Sequence, residues 1–482
     1  MRVAVRRTPR TDASMSQEDL CFTPATELSR AIRARQLSPV ELMRAVLARA
    51  ERLNPALNAI CTPTFDAALA DAERAEAALR RGEPAGLLHG LPMTIKDLAL
   101  TRGVRSMGGS VLYRERVPQI DHVHVERLQA AGGIMIGKTT VSELGWKGNG
   151  DSPVTGITHN PWKRGMNAGG SSGGAAVCAA AGIAPLHQGS DGAGSVRMPA
   201  AFCGVYGLKP SFGRIPYYPM PNNGLISHVG PLTRTVADAA LMLQAMAGPD
   251  DRDATSLEAA PADYRGRLDE GVAGLRVAYS PDLGYLKVDR EVAEPVRAAA
   301  LAFADLGCTV EEVNPGWGDP IALEHCLFAA SYAGMIGHLL DEWGDRMDPG
   351  LVAIARHGLT FSAADVFRAQ GERLAYYDRV HAFFQRYDLL LTPSLSVAAF
   401  PAERLIPEHW EQHPWDWLRW AGFSYPFNLT GQPAATCPCG FTPAGLPVGI
   451  QIVGRRFQDL RVLQASRAFE QARPWAHLRP AL

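Results

Sequence analysis

The chain has almost no surplus charge: 48 Lys and Arg residues stand against 49 Asp and Glu, a formal net charge of −1. No long-range field therefore draws in nucleic acid or an anionic membrane. It also lacks a hydrophobic run long enough to span a bilayer. The longest small-apolar stretch, residues 175–186, is too short and is interrupted by Gly182 and Pro185. The N-terminal MRVAVRRTPRTDAS is basic but has no apolar h-region, which argues against a signal peptide and predicts a flexible tail over residues 1–20. Cysteine is sparse and unpatterned. The eight residues form no C-x-x-C pair, and Cys437-Pro-Cys439, the one close pair, has no further ligands at zinc spacing, so it reads as a buried strand. These absences predict a soluble, cytoplasmic protein with reduced core thiols, no metal and no nucleic-acid or membrane partner; a monomer or homodimer is the expected state.

What is present is an ordinary globular balance, 46% hydrophobic and 20% charged over 482 residues, enough for a large core. Ser38-Pro39-Val40-Glu41 opens a helix by capping, and Asn54-Pro55 is expected to stop it near residue 53. A second helix is expected over 65–81, a buried strand over 92–95 with Lys96 at its end, a helix over 121–131 and a strand over 134–137. The rhythm continues with a helix over 235–246, strands at 275–279 and 309–313 around a helix at 290–306, a mainly helical stretch at 316–386, strands at 387–396 and 448–453, and a final helix over 459–470. This alternation predicts an α/β fold around a large, mixed, mostly parallel sheet flanked by helices on both faces. With no repeat or linker, residues 21–482 read as one domain, with a core at about 88–215 and a mainly helical insertion at about 316–430. Trp410, Trp415, Trp417 and Trp420, followed by Phe423, Tyr425 and Phe427, read either as core or as an aromatic wall over a pocket.

The richest stretch is residues 167–199, where two glycine-serine clusters, at 169–174 and 189–195, flank the nearly pure alanine segment 175–181. The segment makes a thin helix, and the glycines let backbone N–H groups face a ligand, as a nucleophile beside an oxyanion hole requires. Three chemistries compete. A phosphate loop needs Lys-Ser/Thr after its last glycine, and neither cluster has it. Gly169-Gly170-Ser171-Ser172-Gly173 satisfies the G-x-S-x-G elbow of a Ser-His-Asp esterase with Ser171 as nucleophile, but a loop precedes it where that motif needs a strand. The third is a serine–serine–lysine arrangement.

For that third reading the sequence resembles the amidase signature family. The resemblance rests on G-G-S-S-G-G at 169–174 and on Gly189-Ser190-Asp191-Gly192-Ala193-Gly194-Ser195-Val196-Arg197-Met198-Pro199-Ala200, which set Ser171 and Ser195 24 residues apart. It rests also on Gly90-Leu91-Pro92-Met93-Thr94-Ile95-Lys96-Asp97 and on ordered matches at 137–139, 160–162, 207–211, 230–234, 428–433 and 445–451, so that it covers about residue 22 to the end. The resemblance implies the amidase signature fold and hydrolysis of C–N bonds through an acyl-enzyme without cofactor. It implies Ser195 as nucleophile, Ser171 as bridging serine after a cis Gly170–Ser171 peptide, and Lys96 as base. The oxyanion hole would be the N–H groups of Gly192, Ala193, Gly194 and Ser195, and Gly145 and Trp146 would line the substrate cleft. Two departures stand out: Gly192-Ala193 where Thr or Ile and Gly are common, and Thr140 where many members have Asn.

Physical chemistry sets the terms. A lysine is a base only when neutral, and halving its charge near pH 7.4 needs a shift of about three pK units, roughly 4 kcal/mol, which burial supplies. A hydroxyl both donates and accepts, so Ser171 can relay a proton from Ser195 to Lys96 and return one to the leaving amine. The aromatic segment and low charge point to uncharged aryl or apolar amides rather than a small dicarboxylate, and the resemblance implies esters and carbamates (urethanes) as further substrates. The remaining alternatives are the A-type component of glutamyl-tRNA amidotransferase, which passes ammonia to a partner protein, and an inert scaffold, against which the presence of Lys96, Ser171 and Ser195 together argues.

Overall fold

The computed structural model describes residues 16–221 and 224–482, so most of the expected tail lies outside the described residues. The end of that tail is ordered: residues 17–22 form a helix, Gln17–Phe22, capped by Ser16. Among the described residues eleven strands form one sheet: β1 (Ile60–Pro63), β2 (Pro92–Lys96), β3 (Ile134–Thr139), β4 (Leu186–Asp191), β5 (Tyr206–Lys209), β6 (His228–Thr233), β7 (Arg276–Tyr279), β8 (Thr309–Glu312), β9 (Leu389–Pro393), β10 (Ala434–Phe441) and β11 (Pro447–Gly454). Their order across the sheet is β1-β3-β2-β4-β6-β5-β10-β11-β9-β7-β8.

The sheet is mixed, but the parallel bias expected from the sequence holds only toward its two sides. β2 runs parallel to β3 and β4, and β7 runs parallel to β8 and β9, while every pairing among β4, β6, β5, β10, β11 and β9 is antiparallel. The reason is connection length. Helices such as Val123–Ala130 and Arg290–Asp305 supply the crossovers that parallel neighbours need, whereas only residues 442–446 join β10 to β11, a hairpin that forces opposite directions.

Other differences are local. The helix opened by Ser38 runs to Leu57, past Pro55, because Asn58 closes it in a left-handed conformation and the Asn54 side chain accepts from the Ala59 and Ile60 N–H groups. The stretch expected to be mainly helical over 316–430 is helical from Ile321 to Arg386 with breaks, returns to the sheet as β9, and beyond it has only the short helical pieces Trp417–Ala421 and Pro426–Leu429. Cys437 and Cys439 lie in β10 with free thiols. Among the described residues no helix is long and apolar enough to cross a membrane.

Two apolar cores result. One packs the sheet against helices such as Gly173–Ala180, Val236–Met246 and Asp459–Ala472. The other joins the helices at 321–386 to the tryptophan-rich segment, in which Trp417 and Trp420 are fully buried. Both readings of that segment hold in part, since Trp417 also lines the cavity described next.

Candidate active site

The alignment of β2 beside β4 builds the site. Parallel register pairs Ile95 with Gln188, so the ends of the two strands, Lys96 and Ser190-Asp191, arrive at the same edge of the sheet. Strand termini in open α/β sheets are where ligands bind. Glycine-rich composition suggests a loop over Gly189-Ser190-Asp191; in the structure these residues finish β4, and only 192–196 form the turn into helix Arg197–Cys203. These residues of low β-propensity are held in the strand by antiparallel pairing with Gly230, Val229 and His228 of β6.

Lys96 is fully buried, and its Nζ donates to Ser171 Oγ at 2.8 Å and to the Ser190 carbonyl at 3.1 Å. Desolvation drives its pKa down to about 7 against the opposing pull of the Asp191 carboxylate. Ser171 follows the cis Gly170–Ser171 peptide and precedes helix Gly173–Ala180. Glycine is required before it, since a Cβ on Gly170 would lie 2.1 Å from the Asn149 carbonyl oxygen. The two clusters are tied together: the Ser172 N–H donates to the Ser195 carbonyl at 3.2 Å, and Ser172 Oγ donates to the Ser190 carbonyl at 3.2 Å.

Ser171 and Ser195 both line a cavity of about 290 Å³. Ser195 Oγ makes no hydrogen bond among the described residues, leaving it free to meet a substrate carbonyl. The N–H groups of Gly192, Ala193 and Ser195 likewise have no partner among the described residues. Gly194 is different: its N–H donates to Asp191 Oδ1 at 2.7 Å, so it is occupied and leaves the donor set named from the sequence. It shapes the turn instead, at φ +117°, with Ser424 Cβ only 2.5 Å from where a Cβ would stand. Ala193 is not among the residues with positive φ, so the Gly-to-Ala departure costs no backbone strain.

Gly145 reaches the cavity wall, where a Cβ would come within 3.2 Å of Ser171 Oγ. Trp146 does not. Its ring is buried against Gly350, behind the wall, because the left-handed Leu144 and Gly145 turn the chain between the two. Its carbonyl nonetheless accepts from Trp417 Nε1 at 2.9 Å and so holds a ring that does line the cavity. Ser171 has no histidine partner among the described residues: His187 is bonded to Thr94 and the Ala184 carbonyl, and His228 to the Ile226 carbonyl, so the elbow constellation is not assembled.

Asp191, Arg197, Asn428 and Gln451 stand inside the sequence motifs with no task that the sequence assigns them. The structure puts them together under the 192–196 turn. Burial would raise the Asp191 carboxyl, but Arg197, Lys209 and hydrogen bonds hold it well below the usual carboxylate range. It accepts from Gly194 and Val196 N–H and from Arg197 Nε and Nη2, and Asn428 donates to it at 2.9 Å. Arg197 also reaches the Ser424 carbonyl and Gln451 Oε1, and both members of the ion pair are 0% exposed. Removing one partner of such a pair strands a buried charge. Asp191→Asn is therefore expected to lose about 3–5 kcal/mol of stability, read as a lower denaturant midpoint; an unchanged midpoint would deny the pair this supporting role.

A family model described as Amidase matches residues 41–463. An acylamidase of Rhodococcus erythropolis is 40% identical over 97% of this chain and 99% of its own. The A-type component of a glutamyl-tRNA(Gln) amidotransferase, from Synechococcus sp. (strain CC9902), is 35% identical over 92% of this chain and 95% of its own. Among solved structures, a bacterial aryl acylamidase belonging to the amidase signature enzymes superposes with a TM-score of 0.88 at 31% identity, covering 94% of this chain and 97% of its own.

Proposed function

The chain belongs to the amidase family and is a hydrolase of C–N bonds in linear amides, and from that premise we propose that it cleaves acyl amides of aryl or apolar amines through Ser195, Ser171 and Lys96. The observation that carries this reading is the 2.8 Å contact from the buried Lys96 Nζ to Ser171 Oγ at the wall of a cavity that Ser195 shares. Ser195 Oγ attacks the carbonyl carbon; its proton passes to Ser171, whose own proton passes to neutral Lys96. The oxyanion is held by the N–H groups of Gly192, Ala193 and Ser195. Ser171 then returns a proton to the amine nitrogen as the C–N bond breaks, and water releases the acid from Ser195. Phe328, Tyr332 and Trp417 give the cavity an aromatic wall suited to a ring.

The amidotransferase reading is not favoured: the acylamidase is the more similar of the two relatives, at 40% against 35%. A panel of acyl anilides, primary amides, aryl esters and carbamates, with L-glutamine as the control, tests the proposal on purified protein. Acyl anilides should exceed glutamine by at least tenfold in kcat/KM, with esters and carbamates also turned over. Glutamine as the best substrate, with turnover needing a partner protein, would reverse the choice.

A further inference from the structure

Among the described residues that line the cavity only Arg116 is ionised at neutral pH; no Asp, Glu or Lys is among them. The one histidine, His122, is kept neutral by burial, which pushes its pKa down to about 3. It accepts from the Leu100 N–H at Nδ1 and donates from Nε2 to the Pro219 carbonyl, so it is fixed by the backbone. Arg116 is half-buried and has no salt bridge to any carboxylate among the described residues.

Its structural duties use little of the guanidinium. Nε donates to the Ser106 carbonyl at 2.9 Å, and Cζ lies over the Tyr113 ring, 4.1 Å from the centroid. Nη1 and Nη2 have no hydrogen-bond partner among the described residues. The Nε bond and the ring contact hold the guanidinium in place, and Nη2 lies 3.8 Å from where a Cβ on Gly108 would stand. The same point is within 3.8 Å of Leu98 and Leu144, and all three residues line the cavity. An oriented, unpaired Nη edge beside apolar walls matches the two oxygens of a carboxylate, in surroundings that strengthen the attraction.

We propose that Arg116 is a specificity residue that receives a carboxylate on the substrate, so that the preferred amides have an aryl or apolar body with an anionic group away from the scissile bond. This rests on the amidase reading above and narrows its substrate class. Loop stapling alone needs Nε and the ring stack and leaves the Nη edge without a task.

Three kinds of substrate separate the possibilities: 4-acetamidobenzoate, with the carboxylate on the amine side; succinic acid monoanilide, with it on the acyl side; and neutral 4-nitroacetanilide and acetanilide as their respective references. At least one charged member is expected to exceed its reference tenfold in kcat/KM, mainly through KM, with the advantage shrinking as salt rises. Arg116→Met should reduce that ratio about tenfold, and Arg116→Lys should restore part of it. Equal losses on charged and neutral substrates, or no preference in the wild type, would overturn the proposal. Equilibrium binding of 4-acetamidobenzoate to Ser195→Ala protein, with and without Arg116→Met, tests the contact without turnover: weaker binding in the double variant supports it, and equal binding refutes it. If anilides are not hydrolysed at all while this binding difference persists, the reaction assignment fails and the carboxylate site stands.

Discussion

Ser195→Ala should lose turnover by on the order of 10⁵-fold, the scale seen when an activated nucleophile is removed and only oxyanion donors and binding remain. It should lose covalent labelling by a fluorophosphonate entirely, since among the described residues no other hydroxyl at the cavity is both unbonded and beside three free N–H donors. The fold should survive, because Ser195 Oγ contributes no hydrogen bond among the described residues and the carbonyl that ties the two clusters belongs to the backbone. Ser171→Ala should behave differently. It removes a relay, not the attacking atom, so turnover drops by about 10²–10⁴-fold, the range for a general acid–base group, and slow labelling at Ser195 persists. Mass spectrometry of the labelled peptide decides the matter. A label on Ser171 that survives Ser195→Ala would return the nucleophile to the G-x-S-x-G elbow.

This contrast turns on residues that the sequence located unevenly. The place of Lys96 at the end of a buried strand was legible from Pro92 to Ile95, but its role as base came only from the resemblance of residues 90–97 to the amidase signature pattern. Ser195 was legible because successive glycines ending in a serine can turn backbone N–H groups toward a ligand, whereas Ser171 as the bridging serine came from the resemblance. The support beneath them was not. Asp191 and Asn428 stand 237 positions apart in the chain, and nothing local announces that the Asn428 amide will donate to the carboxylate that caps the 192–196 turn. The aromatic wall is likewise remote from the serines, coming from the helix Ile321–Ile336 and from Trp417, whose periodicity alone reads as core. Gly145 and Trp146 show the limit of alignment: adjacent residues fall on opposite sides of the wall because Leu144 and Gly145 both adopt positive φ, at 51° and 75°. Gly194 shows the same for chemistry, since its place in the turn was readable but the commitment of its N–H to Asp191 was not.

Lys96 makes the second large effect, on activity and on stability with opposite signs. As the base it works only when neutral, so kcat/KM should rise about tenfold per pH unit below the pKa of about 7 and level off above it. Lys96→Met should remove that limb together with most of the activity, and Lys96→Arg, whose guanidinium does not deprotonate near neutrality, should be no better. The stability sign follows from proton counting. The ordinary lysine pKa of 10.5 falls to about 7 on folding, so between these values the unfolded chain binds more protons than the native protein, and stability rises with pH through that window. Burial of this amine is thus a cost that is largest below about pH 7 and fades toward 10.5. Between pH 7 and 9 the wild type should gain about 2 kcal/mol of unfolding free energy relative to Lys96→Met, because all other titrating groups are common to both and cancel. Denaturant midpoints of the two proteins, taken at each pH, measure the difference directly. Parallel curves would mean that Lys96 titrates alike in the folded and unfolded states, and an amine of that kind would be a charged ammonium at neutral pH, with no lone pair to take the proton that Ser171 must pass on.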